Sequence, residues 1–190
     1  MTMSLKAYAP VLARTLGMPK AAVYERQRSL TPIDLLDPGA ASGPGSGVRI
    51  TSAKEVALLV IACLASDTIA AAGTRARAVA EAKPVNDKHC PFTHMGTFGN
   101  ALASVLTSTT QSRRVVEIRI SRTESRAEIV YRDLKMKQRA SEFVGSTGDN
   151  EPAIVVTATL KAKALQAIAA DVQAMLHLIF NEQDKGEATS

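Results

Sequence analysis

Two short stretches carry residue types that could do chemistry. "HCPFTH" brings His89, Cys90 and His94 together, and imidazole and thiolate bind zinc where four ligands converge. No paired C-x2-C or H-x3-H element accompanies them, so a loop running into a helix capped by Thr93 is expected rather than a metal site. "KAAVYERQR", residues 20–28, offers a different set: Lys20, Tyr24, Arg26, Gln27 and Arg28. A guanidinium can bond guanine bidentately, a carboxamide can read adenine, and an ammonium or a phenol can hold a phosphate. Ser, Asp and Glu are scattered elsewhere without a G-x-S-x-G elbow, a phosphate loop or a dinucleotide fingerprint, so neither an enzyme nor a cofactor is expected. His177, between Leu176 and Leu178, reads as a boundary histidine of an amphipathic helix.

The second stretch needs a frame that turns its polar side chains outward. In "LARTLGMPKAAVYERQRSL", residues 12–30, Ala13 precedes Gly17 by four positions and Val23 follows it by six. Such spacing suits a small residue where two helices cross, a residue tolerant of positive φ in the turn, and an apolar lock on the second helix. Leu12, Leu16, Met18 and Leu30 add further apolar locks. Pro19 is expected at the first helical position, where its missing amide does no harm, and Pro32 stops the helix. With Val23 and Leu30 inward, Lys20, Tyr24 and Arg28, with Arg26 or Gln27, fall outward or at the margins.

On these residues the segment resembles the helix-turn-helix of DNA-binding proteins, in its winged-helix form. "IDLL" (33–36) followed by "DPGAASGPGSGVRIT" (37–51) is similar to the apolar step and Gly-rich wing of that family. The resemblance covers residues 5–66. It implies double-stranded DNA as partner, residues 19–30 as recognition helix, and a wing whose Arg49 touches backbone or minor groove.

Beyond this segment the pattern changes from helical to mixed. Ser52 with Glu55 three residues later reads as a capping box for a buried helix, "KEVALLVIACLASD". An Ala/Arg-rich helix follows Gly73, and 83–93 reads as a linker. Phe98, Leu102, Val105 and Leu106 share one helical face. Val116, Ile118 and Ile120, then Ala127, Ile129 and Tyr131, alternate with polar residues as in a hairpin with one wet face. A third strand is expected to end near Phe143, "AIVVTATL" reads as a fourth, and Leu165, Ile168, Ala169, Val172, Met175 and Leu176 mark a long helix. Arg119, Arg122, Arg126 and Arg132 mix with Glu117, Glu124 and Glu128, which favours cross-strand ion pairing over a second nucleic-acid surface.

The expected architecture is α+β: residues 1–72 as a winged-helix-like domain, 73–93 as connecting helix and linker, 94–182 as an antiparallel sheet packed with helices, and 183–190 as a tail. A chain of 190 residues with 46% hydrophobic content can bury such a core. The net charge of +5 and pI near 9.4 favour an anionic partner. Lys6, Arg14, Lys20, Arg26 and Arg28 stand against only Glu25 in residues 1–32. No apolar run suits a bilayer or a signal peptide, and two cysteines fit a reducing compartment, so a cytoplasmic protein is expected. One reading head rarely contacts enough bases, which calls for a homodimer, with the helix of 160–180 as the candidate interface or, alternatively, as a cover for its own sheet. The competing readings are a protein-binding adaptor of mobile-element origin and a small metal protein or enzyme.

Overall fold

The computed structural model describes residues 4–31, 51–85, 87–145 and 153–187, with side chains as far as residue 177. Four helices come first: α1 (Leu5–Leu16), α2 (Lys20–Leu30), α3 (Ala53–Ala65) and α4 (Ile69–Ala80). A two-residue strand, β1 (Lys83–Pro84), leads to α5 (Phe98–Thr107) and α6 (Thr109–Arg114). Then follow β2 (Val115–Ser121), β3 (Arg126–Arg132), β4 (Gln138–Val144), β5 (Thr157–Lys161) and α7 (Ala162–Glu187). The α+β class is as expected. The expected wing, residues 37–50 with Arg49, lies outside the described residues.

The sheet is antiparallel throughout, in the order β1-β4-β3-β2-β5. Its register pairs Ile118 with Ile129 and Leu160, and Ile120 with Ala127 and Ala158, so one face is apolar and buried. The opposite face carries Arg119, which bonds Glu117 and, at 2.9 Å, Glu128. Lys161 bonds the same Glu117 from β5. The ion pairing read from the alternation is therefore present at Arg119. Arg122 pairs with Asp67 instead, and Arg126 lies 3.9 Å from Glu124.

Helix α3 is the keel of the molecule. Ser52 caps it reciprocally with Glu55, as the sequence pattern required. Every residue from 55 to 65 is buried, because α3 is packed against α2, α4, α5, β2 and β5. The apolar stripe of α5, Phe98, Leu102, Val105 and Leu106, is fully buried, and Phe98 meets Phe143 of the sheet edge-on at 5.3 Å. Gly99 lets α5 begin against the end of α4, since a Cβ there would stand 3.1 Å from that of Ala80.

Several expectations need correction. Within residues 73–93 the bounds shift: the helix there, α4, begins at Ile69, and Lys83 and Pro84 add an edge strand to β4 before the chain turns irregular. The buried residues form one cluster from Leu5 to Met175, crossing the expected boundary. The α5 helix is capped by Thr97, whose hydroxyl accepts from the Asn100 amide, not by Thr93. Strand β5 starts only at Thr157, leaving Ile154, Val155 and Val156 exposed. The α7 stripe from Leu165 to Met175 is turned onto α5, α6, α1 and the sheet, so it is not free to bind a second copy. Where α1 crosses α7, the buried Tyr8 hydroxyl donates to Asp171 at 3.2 Å. Burial first, then the Asp171 charge, holds that phenol protonated well above its ordinary range.

Candidate nucleic-acid interface

The α1 and α2 helices meet in a tight turn whose chemistry is readable residue by residue. Ser4 caps α1, accepting from the Ala7 amide at 3.2 Å. At the other end Gly17 adopts φ 65°, ψ 29°, the left-handed conformation that favours glycine. Its amide bonds Arg14 O, and the Met18 amide bonds Ala13 O at 2.9 Å, the paired bonds of a Schellman ending. Pro19 then stands just before α2 rather than in its first turn, with ψ 137°, and its carbonyl accepts from Ala22 and Val23. Val23 and Leu30 lock α2 inward as expected.

A second lock involves Pro10. A proline inside a helix supplies no amide to the carbonyl four residues earlier. Here that carbonyl belongs to Lys6, and the Tyr24 hydroxyl donates to it at 3.3 Å. Tyr24 is therefore half-buried and bound to α1, not held out towards a phosphate.

Arg26 departs furthest from expectation. It is 6% exposed, with its guanidinium donating to Ala22 O at 3.1 Å, Ser66 O at 3.0 Å and Asp67 O at 3.3 Å. It joins α2 to the α3–α4 turn and is not placed to read a base. Cys63 lies beside it: burial pushes the thiol up to about 12, against the lowering influence of the Arg26 charge. Asp67 extends the connection, since its carboxylate holds Arg122 of the sheet, which also donates to Leu64 O.

The remaining residues of the candidate set sort by exposure. Lys20 and Arg28 are exposed on the outer side of α2. Arg28 meets Glu25 at 3.2 Å, with its side chain 78% exposed, a pairing weak enough to exchange for another anion. Gln27 is half-buried, and its Oε1 is buried without a hydrogen-bond partner. Lys6 and Arg14 are exposed on α1. The turn thus leaves Lys20 and Arg28 exposed at the two ends of α2, withdraws Arg26 and Tyr24, and leaves Gln27 at the margin.

The other chemistry-bearing stretch is packed into the core at Cys90 and Phe92, with His89 and His94 exposed. Cys90 is buried, the Cys90 amide and carbonyl bond Met95 and His94, and Phe92 stacks on Tyr131 at 4.1 Å. Among the described residues no group of three or more His, Cys, Asp or Glu side chains is arranged to hold a metal.

One cluster escaped the sequence reading. Arg132 was grouped with the paired sheet arginines, but it belongs with Lys135, Lys137 and Arg139 at the β3–β4 turn. The signal was the alternation "RDLKMKQR" (132–139) between two strands, with apolar residues where a turn is ordinarily polar. No family model, curated protein or solved structure matches this chain.

Proposed function

We propose that the chain is a sequence-specific double-stranded DNA-binding protein, a regulator of transcription whose recognition element is α2. The observation carrying this reading is the Gly17-closed turn, which fixes α2 across α1 while leaving Lys20 and Arg28 on its outer side. Lys6 and Arg14 add positive charge from α1. Within this reading Arg28 reads a base edge, Lys20 holds a phosphate, and Gln27 approaches the groove from the margin. Two copies acting together would extend the contact to two half-sites. The pairing surface then lies outside the α7 stripe, which the fold itself covers.

The test is selection of bound fragments from genomic DNA, followed by titration of the selected duplex over a range of salt. Arg28→Ala is expected to weaken the selected site by about 1–3 kcal/mol while sparing random sequence. Lys20→Ala is expected to weaken all sequences and lower the salt slope by about one. Arg119→Gln, on an ion-paired strand, is the control and should change neither. Loss of neither slope nor selectivity in the α2 variants would reject α2 as the reading element. Partner capture insensitive to salt would favour the protein-adaptor reading instead.

A further inference from the structure

We infer that the β3–β4 hairpin is a nucleic-acid-binding arm that inserts into the major groove of a DNA duplex. From Leu134 through Ala140 every residue is exposed. Three of these, Gln138, Arg139 and Ala140, lie on β4, where neighbours point to opposite faces. There β4 has solvent on both its faces while its β3 partners Val130 and Tyr131 are buried, and beyond Arg132 the turn from Leu134 to Lys137 stands clear of the body. Between Arg132 and Arg139 there are four cations and one acid, Asp133.

Asp133 serves the arm's construction. Its carboxylate accepts from the Lys135 amide at 2.8 Å and the Lys137 amide at 2.9 Å, and Arg139 approaches it at 3.3 Å. The Asp133 amide and carbonyl close the turn with Lys137 O and Met136 N. Lys135 and Lys137 are left with exposed ammonium groups and no acidic partner among the described residues. At the arm's base Arg114 donates to Arg132 O at 2.8 Å and lies over the Phe92 ring, and Arg113 beside it is exposed.

The apolar residues at the tip supply an independent observation. Leu134 is 89% exposed and Met136 67%. Met136 also has φ 61°, a left-handed conformation in which glycine or asparagine would be less strained. A large apolar side chain held in that conformation and in water gives the fold nothing. It does suit a ribbon whose tip meets base edges and thymine methyls while its cations hold the phosphates on either side. A two-stranded ribbon fits the major groove, which is about 12 Å wide. The clustered positive charge selects a polyanion, and the buried state of Phe92 and Tyr131 leaves no exposed aromatic platform here for stacking single-stranded bases.

This site shares its class of partner with the reading above but does not need α2. Arg26 ties α2 to Asp67 and thence to Arg122, at the end of β2 opposite the arm, so the two surfaces would meet separate stretches of duplex.

The experiment uses the full chain and a labelled mixed-sequence duplex, with vesicles of phosphatidylserine and phosphatidylcholine as the competing polyanion. Lys135→Gln with Lys137→Gln is expected to lower the salt slope of duplex binding by about two. Leu134→Ser, and Met136→Gly, should weaken the duplex while keeping the slope, and Met136→Gly should leave the melting temperature unchanged or raised. Replacing thymine by uracil in the duplex should weaken the parent chain more than the Leu134→Ser variant. Unchanged duplex binding in all the arm variants overturns the proposal, and if Lys20→Ala and Arg28→Ala still act, the α2 reading survives alone. Arm-dependent binding to vesicles without arm-dependent binding to duplex also overturns it, in favour of a membrane surface.

Discussion

Arg26 shows how one side chain can look like a reading residue and act as a structural one. A charged group in a helical run rich in Lys and Arg is ordinarily solvated, and nothing in the local spacing says that three backbone carbonyls converge on it. Those carbonyls come from Ala22, Ser66 and Asp67, two of them forty residues away in sequence. Removing the guanidinium takes the donor from the buried Ser66 contact and empties the space the side chain fills, so Arg26→Ala is expected to destabilise the fold by about 2–4 kcal/mol. Lys20→Ala and Arg28→Ala, on the surface, should stay within about 0.5 kcal/mol. Denaturant melts of the three variants check this, and comparable losses in all three would mean that Arg26 is not the lock described. The same contrast explains what was legible: Gly17, Val23 and the Ser52–Glu55 cap are local rules and were readable, whereas the roles of Arg26 and Tyr24 depend on partners brought by the fold.

At the scale of elements, alternation and helical periodicity located β2, β3, α5 and α7, because each buries one face and its sequence must repeat accordingly, while β4 begins with three exposed residues and was placed only by its end near Phe143. Boundaries were harder. Ile154, Val155 and Val156 have strand-forming side chains, but they lie before the first residue paired with β2 in β5. Lys83 and Pro84 read as a linker, because a two-residue edge strand has no period to detect. The wet face of the sheet supplies a pH prediction. Glu117 has its carboxyl held below the usual range by hydrogen bonds first from Lys161 and then from Arg119, against desolvation. A carboxyl depressed in the folded state contributes stability that is present above its unfolded pKa and lost as pH falls through the folded one. The melting-temperature advantage of the parent over Glu117→Gln should thus be full near neutral pH and disappear on acidification below the ordinary carboxylate range. An advantage independent of pH would assign the effect to packing.

At the scale of the whole molecule, the expected division into a reading head and an assembly domain gives way to one continuous core. The sequence suggested two units because a helical pattern is followed by a sheet pattern, and the local periodicities say nothing about what α3 packs against. The structure packs α3 against α2 and α4 and also against α5, β2 and β5. A fragment spanning 94–182 would expose the apolar surface that α3 now covers. It is expected to lack a cooperative melt when expressed alone, and a folded, cooperatively melting fragment would restore the two-unit view. The burial of α3 also governs how the molecule breathes. The helix carries no solvent face from 55 to 65 through which it could detach while its neighbours stay in place. Its backbone amides should therefore exchange hydrogen for deuterium only when the whole chain opens, at rates set by the global unfolding free energy. The amides of the β3–β4 turn should exchange by local opening, far sooner, so that the arm proposed to meet DNA can fluctuate while the keel stays closed.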